Sequence, residues 1–151
     1  MTLKNYTTGI DFQKTIMEIE TILASNGASN IFKQYEDGIP SKIAFQYQIK
    51  NKDSNMINVN FMLPMEEKKV LEILKKSKGV PNSRKNIDQA RRTGWRIIKD
   101  WIDSQMALVQ INLVEFEQVF LPYMYNFETN ETIYSKLKNK NFGLQIENKS
   151  M

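Results

Sequence analysis

Positive charge is concentrated in the middle of this chain. Between Lys68 and Lys99 lie eleven basic and two acidic residues, a net charge of +9, whereas the rest of the chain carries a net charge of −5. Such a field attracts polyanions, and each phosphate contact releases counterions, so binding falls with salt. We therefore predict DNA or RNA as a partner. The candidate contact residues are Lys68, Lys69, Lys75, Lys76, Lys78, Arg84, Lys85, Arg92, Arg96 and Lys99.

The same cations have a second interpretation. On a long helix, Arg92, Arg96 and Lys99 lie together on one flank, where they could contact successive phosphates. However, Asp88 to Arg92, Arg96 to Asp100 and Lys99 to Asp103 are each spaced i to i+4. That spacing also fits a solvated row of ion pairs. The sequence leaves both interpretations open.

The residue types that most enzymes use are missing. The chain has no histidine and no cysteine, which excludes imidazole bases, thiol nucleophiles, disulfides and thiolate metal sites. No glycine-rich phosphate loop occurs. The carboxylates Asp100, Asp103, Glu115 and Glu117 leave a metal-dependent nuclease as a remote alternative. We expect a protein that is not an enzyme, with no catalytic residue, metal or cofactor.

Three bulky side chains have two interpretations each. Trp95 and Trp101 could stack on unpaired bases, but both lie in or beside the apolar arc of the long helix, which favours core packing. Arg91 falls inside that arc, where an unpaired charge is costly. It is expected either to pair with a carboxylate, such as Glu115 or Glu117, or to mark a subunit interface.

An apolar run at 119–125 follows a short predicted helix. Filling of the core is the simpler interpretation, and an exposed surface for a partner or for a second copy of the chain is the alternative. Aromatic residues and methionine are enriched in interface cores. The candidate interface residues are Phe120, Leu121, Tyr123 and Tyr125.

The spacing of apolar residues predicts an α+β fold. Helical periodicity, alternating strands and turn residues indicate an N-terminal helix, a three-stranded antiparallel meander, a second helix, a long helix and short C-terminal helices, packed on one sheet face. The predicted spans are 11–26, 31–36, 43–49, 57–63, 65–78, 84–110 and 131–139, with Asn112 and Glu115 forming a capping box for another short helix. Phe12, Ile16, Ile19 and Leu23 should face the core from the first helix, and Val70, Ile73 and Leu74 from the second. The predicted apolar arc of the long helix comprises Ile87, Ala90, Gly94, Ile98, Trp101, Ile102, Gln105, Leu108 and Val109.

The length of 151 residues predicts one domain at 1–142, followed by a flexible polar tail at 143–151. No run of 18 apolar residues occurs, so no membrane partner is expected. Together with the missing cysteines, these features favour the cytoplasm.

Two resemblances add expectations. The runs Arg92–Trp101, Gln105–Leu108 and Glu117–Tyr123 resemble small uncharacterised proteins encoded by phages and prophages, as do Thr7–Glu20 and Gly27–Ala28. That resemblance implies an origin in a mobile element, a location in the host cytoplasm and no established activity. The order helix, three strands, helix is also similar to that of double-stranded-RNA-binding domains. Their second helix opens with basic residues, however, whereas this one opens with Met65-Glu66-Glu67.

Two function classes follow. The first is a phage-type accessory protein that binds nucleic acid through the 68–99 segment. The second is an interaction protein, such as a phage inhibitor of a host defence complex of the anti-CRISPR kind. Such an inhibitor could bind a host nucleoprotein complex through its basic face or through the surface at 120–125.

Overall fold

The computed structural model describes residues 2–144 and confirms the α+β class. Its helices and strands, in chain order, are α1 Phe12–Ser25, β1 Asn30–Glu36, β2 Ile39–Lys50, β3 Met56–Met62, α2 Glu67–Lys76, α3 Ile87–Gln110, α4 Phe116–Phe120, β4 Tyr125–Asn126, β5 Glu131–Thr132 and α5 Ile133–Asn139. Short 3₁₀ turns lie at 82–84, 121–123 and 141–143.

Helix α1 begins and ends at the residues that the sequence indicates. The Asp11 carboxylate accepts a hydrogen bond from the Gln13 N–H at 2.7 Å and caps the first turn. At the other end, Gly27 has a φ of +105°, and the Ala28 N–H donates to the Leu23 carbonyl. This left-handed glycine stops the helix and turns the chain toward β1.

The three-stranded sheet has the order β1-β2-β3 and is antiparallel throughout. Asp37 and Gly38 both have positive φ, as a tight β1–β2 hairpin requires. On β2, Ile43 and Phe45 face the core and are fully buried. The sheet face that carries Ile43 and Phe45, which we call the first face, forms one side of the main core.

Helices α1, α3 and α4 cover this first face. The Phe45 ring stacks on Phe61 at 5.3 Å and meets Phe116 and Phe120 edge-on at 5.8 and 5.5 Å. Edge-to-face geometry is favourable for aromatic pairs, so these rings fix α4 on the sheet.

The buried side of α3 is broader than the predicted arc. Ala90, Gly94, Ile98 and Ile102 are buried as expected, but Leu108 is not, and four further residues are buried as well. These additional residues are Gln89, Thr93, Trp95 and Met106. The reason is that α3 packs between α1, α2 and the sheet, so more than one face of it is covered.

Helix α2 packs on α3. Leu74, Val80 and Ala90 form a second small core, to which Val70 and Leu71 add partly buried side chains. The prediction that Ile73 points inward is wrong, since its side chain is about half exposed. The spacing of apolar residues on α2 allows either Leu71 or Ile73 to join the stripe that faces the core. Leu71 is the one that joins it, because α3 packs on that side of α2.

Gly94 permits the close approach of α2 and α3. A Cβ at this position would lie 2.6 Å from the terminal carbon of Met65 and 3.2 Å from Val70. The glycine that weakens the helix by propensity thus leaves room for the Met65 side chain and brings Val70 close to α3.

The predicted capping box at Asn112 is also wrong. Asn112 has a φ of +59° and ends α3, because its N–H donates to the Val109 carbonyl while the Leu113 N–H donates to the Leu108 carbonyl. This pair of bonds is a Schellman motif. The cap of α4 is Glu115, whose N–H donates to the Gln118 side chain at 2.7 Å.

The chain after α4 crosses to the second face of the sheet. Phe32 on β1, Ala44 on β2 and Met62 on β3 lie side by side on that face, and the Phe127 ring meets Phe32 edge-on at 5.5 Å.

The predicted tail at 143–151 lies outside the described residues except for Gly143 and Leu144. Among residues 2–144, none of the helices combines the length and the apolar composition that crossing a lipid bilayer requires.

Candidate nucleic-acid interface

Two cations of α3, Arg96 and Lys99, contact a carboxylate of α1. The Arg96 guanidinium donates to the Glu18 carboxylate at 2.6 Å, and the Lys99 ammonium lies 3.0 Å from Asp103 and 3.9 Å from Glu18. Both basic side chains are about four-fifths buried. These two cations link helices and are poorly placed to meet a phosphate.

The predicted ladder of ion pairs is mostly replaced by tertiary contacts. Of its three pairs, only Lys99–Asp103 forms. Arg91 does not reach Glu115 or Glu117; its Nε donates to Glu67 of α2 at 2.8 Å, and Asp88 is a second partner at 3.4 Å. Spacing along one helix could not show that α1 and α2 supply these carboxylates.

Both tryptophans are core residues, as their positions favoured. Trp95 is almost fully buried, and Trp101 packs edge-on against Phe120 and Tyr123, each at 5.4 Å. The Trp95 ring is therefore closed to a base, and Trp101 is partly buried against the main core.

The cations of α2 and of the turn before α3 are arranged differently. We call the following six residues the basic ridge: Lys68, Lys75, Lys76, Lys78, Arg84 and Lys85. Within the chain from Thr2 to Leu144, none of the six forms an ion pair with an acidic side chain. Lys69, by contrast, pairs with Glu66 at 3.2 Å. Lys75 follows Lys68 by seven positions, about two helical turns, which places both on the same side of α2.

The turn that carries the ridge is fixed by its own small core. Val80 is buried against Leu74 of α2 and Ala90 of α3, so the chain reverses direction there. Arg84 donates from Nη1 to the Thr7 carbonyl at 3.0 Å. The segment from Lys75 to Lys85 is therefore held at one end of the α2–α3 hairpin.

Gln89 ties the N-terminal arm, residues 2–9, to this end of the molecule. Its side chain is buried, and its Nε2 donates to the carbonyls of Tyr6 and Thr8 at 2.9 and 3.0 Å. Its Oε1 accepts from Arg92 at 3.0 Å. Arg92 thus serves to position the arm, a role for which the periodicity of the sequence contains no signal.

Asp100 anchors the start of the same arm. Burial by itself raises the pKa of this carboxyl group, but the hydrogen bond from Asn5 at 2.9 Å and the hydrogen bond and charge of Lys4 outweigh burial, with a contribution from Lys99. The pKa of Asp100 therefore lies below its ordinary value. The folded chain thus favours the ionised carboxylate.

This lowered pKa predicts a pH-dependent contribution to stability. Because the folded state favours the ionised form, the contribution is complete above the unfolded pKa of about 3.9 and is lost as the pH falls through the lower folded value. We expect the stability difference between the wild type and Asp100→Asn, at most about 1 kcal/mol for such a surface site, to shrink between pH 6 and pH 3. Urea unfolding followed by tryptophan fluorescence measures it. Asp53→Asn, in the exposed β2–β3 turn, is the control, and an equal trend in both variants would contradict the assignment.

The predicted partner surface at 120–125 does not exist as a whole. Phe120 is fully buried, because it belongs to the aromatic cluster under α4, while Tyr123 and Tyr125 are half-buried. Only Leu121 is about half exposed. Between Phe120 and Tyr125 the chain passes around the edge of the sheet at β3, where Met124 pairs with Phe61. Phe120 and Tyr125 therefore lie on opposite faces of the sheet and cannot form one surface.

A cleft lies on the second face of the sheet, between β1, β2 and the C-terminal segment, and sequence reasoning missed it. Its volume is about 770 Å³. Gln34, Lys42 and Met62 form its floor, and Tyr123, Tyr125 and Tyr134 line its walls. These residues are up to a hundred positions apart in sequence, so no local motif could have indicated them.

Within residues 2–144, no three Asp or Glu side chains come together as a group that could hold a metal ion. Comparison with protein-family models, curated proteins and solved structures gives no match for the chain.

Proposed function

We propose that the protein binds nucleic acid through the basic ridge and catalyses no reaction. The observation that carries the proposal is the contrast between two groups of cations. Arg91, Arg96 and Lys99 are each ion-paired within the fold, whereas the six ridge residues have no acidic partner in the described part of the chain. Cations without an acidic partner keep their field for an external polyanion.

Compensation of the helix dipole does not account for the ridge. Lys75 and Lys76 lie in the last turn of α2, where positive charge is stabilising in any helix. Lys78, Arg84 and Lys85 lie beyond that turn, and the dipole effect does not extend to them. Glu72 is the acidic residue among these cations, so the surface keeps a large excess of positive charge.

The kind of binding follows from the side chains. Five of the six ridge cations are lysines, flexible point charges that contact phosphates rather than reading base edges in bidentate geometry. We therefore expect weak sequence preference and strong salt dependence. A phage-type accessory role in replication, recombination or transcription stays a prediction of the sequence resemblance.

The test is a titration of labelled DNA and RNA at two salt concentrations with the triple variant Lys75→Gln, Lys76→Gln, Lys78→Gln. If each lysine binds one phosphate, the salt slope of log K should fall by roughly 0.7 to 0.9 for every lysine replaced, about 2 in total. At low salt the variant should also bind more weakly.

The matched control removes the same charge elsewhere: Lys14→Gln, Lys50→Gln, Lys52→Gln, three exposed lysines outside the ridge. It should keep the wild-type slope. Equal weakening in both triple variants would mean that only net charge matters, and no binding by the wild type at low salt would reject the proposal. Arg96 and Lys99 are unsuitable for this test, because their substitution also disturbs the α1–α3 contact.

A second candidate is the docking protein that inhibits a host complex. The observation that favours it is an apolar loop between α3 and α4, where Ile111 and Leu113 are exposed by 63% and 67%. Large apolar side chains exposed side by side are typical of binding surfaces.

A pull-down from nuclease-treated host lysate separates the two candidates. A partner that survives nuclease and is lost with Leu113→Glu supports docking, and loss of every partner with nuclease supports the ridge.

A further inference from the structure

The cleft on the second face of the sheet combines aromatic and polar groups. Three of the six tyrosines of the chain line it, namely Tyr123, Tyr125 and Tyr134. Gln34 and Lys42 face each other across the β1–β2 ladder at its floor. Its volume of about 770 Å³ lies within the range of ligand sites.

Several polar groups of this cleft are not used by the fold. The Tyr125 hydroxyl donates to the Asn130 side chain at 2.9 Å, and the Thr132 hydroxyl donates to Ser135 at 3.1 Å. The side-chain polar groups of Gln34, Lys42 and Tyr134, in contrast, bond to no residue between Thr2 and Leu144. The cleft thus offers an ammonium, an amide and a phenol to a ligand.

Two prolines restrict the backbone at the rim of the cleft. Pro64 follows β3 and Pro122 lies in the turn after α4, and both line the cleft. Proline fixes its own φ, so these segments lose little conformational freedom when a ligand binds. A preformed cavity with a few uncommitted polar groups is the usual form of a small-ligand site.

We propose that this cleft binds one nucleotide unit. Tyrosine faces stack on bases irrespective of sequence, an amide offers both a donor and an acceptor to a base edge, and the Lys42 ammonium suits a phosphate. The unit is either a free mononucleotide or an unpaired nucleotide of a single strand. For the second source the inference rests on the proposed nucleic-acid binding.

The position of the ridge agrees with a strand source. Glu66 at the rim of the cleft immediately precedes α2, and Lys75 and Lys76 lie at the far end of that helix. Ten residues of helix span about 15 Å, with Lys68 between these two points. A single strand with one nucleotide in the cleft can therefore run along α2 to the ridge.

The first arm of the experiment uses the free ligand. Adenosine monophosphate, adenosine and inorganic phosphate are each titrated by NMR into the intact protein, and the nucleotide should shift resonances of the cleft and bind more tightly than either part. Tyr134→Ala and Lys42→Gln should each weaken this binding by about tenfold or more, the loss expected for one stacking partner or one charged hydrogen bond. No cleft shift with the nucleotide, together with wild-type strand binding by both variants, would overturn the inference.

The matched controls are Tyr35→Ala and Lys50→Gln. Tyr35 is an exposed tyrosine of β1, and Lys50 is an exposed lysine at the other end of β2 from Lys42; neither lines the cleft. Both controls should bind the nucleotide as the wild type does. Equal losses in the controls would show that the effect comes from the fold or from net charge, against the inference.

The second arm compares a single-stranded dodecamer with its duplex. Tighter binding of the single strand, reduced by Tyr134→Ala, would support the cleft as a strand site. Equal binding of both forms, unaffected by the cleft variants, would overturn the strand source while leaving the ridge proposal intact. Binding of the free nucleotide without any strand binding would reject the ridge and support the cleft as a mononucleotide site.

Discussion

Replacement of Phe120 by alanine is expected to lower the free energy of unfolding by about 3–5 kcal/mol, the usual cost of removing a buried phenylalanine. Phe120 has no exposed surface and contacts four other rings. Its removal leaves a cavity between α3, α4 and the sheet that these stiff rings cannot close. Urea unfolding at neutral pH, followed by the fluorescence of the two core tryptophans, measures the change.

Leu121→Ala is the matched control, since Leu121 is the next residue and is about half exposed. Its effect should stay within about 0.5 kcal/mol, as is usual for a surface position. If the two variants changed stability equally, Phe120 would not be a core residue. Reduced partner binding by a stably folded Phe120→Ala variant would instead restore the surface role that the sequence suggested.

Replacement of Gln89 by leucine should have the second largest effect, about 2–4 kcal/mol. The part-buried carbonyls of Tyr6 and Thr8 and the buried Thr93 hydroxyl lose their donor, and an unsatisfied group costs about 1–3 kcal/mol where water is excluded. Leucine has a similar volume, so packing is largely kept. The loss should fall on one part of the molecule, namely the N-terminal arm and the Arg92 side chain that Gln89 holds.

Hydrogen exchange makes this prediction specific. The Thr8 amide donates to the Asn5 carbonyl within the docked arm, and its exchange should accelerate strongly in the Gln89→Leu variant. The amide of Phe61 in β3 should keep its relative protection. Gln13→Leu, an exposed glutamine of α1, is the control and should change neither. Uniform acceleration across both segments would show that Gln89 supports the whole fold and not the arm.

Local rules were sufficient for most elements. Asp11 and Gly27 bound α1, Asp37-Gly38 closes the hairpin, and the alternation on β2 identifies its buried face. Each of these depends on residues a few positions apart, so the sequence contains the complete signal. The α+β class follows from them.

The same rules were insufficient where two local arrangements of the chain fit the sequence equally well. Asn112 can cap the helix that follows or end the helix that precedes, and the Schellman bonds of α3 are the ones that form. Ile73 and Leu71 fit equally good stripes on α2, and the packing of α3 covers part of Leu71 while Ile73 stays about half exposed. The spacing of apolar residues along α2 does not indicate on which side α3 packs.

The sequence by itself determined most of the helices and strands, the absence of imidazole and thiol groups, and the total charge of the 68–99 segment. Only the tertiary structure decided which of those charges remain available to a partner, because the carboxylates that neutralise Arg91 and Arg96 come from α2 and α1, 24 and 78 positions away. It also brought Gln34, Lys42 and Tyr134 to one cleft. Electrostatic fields and cavities depend on distance in space, and distance along the chain does not specify them until the fold has formed.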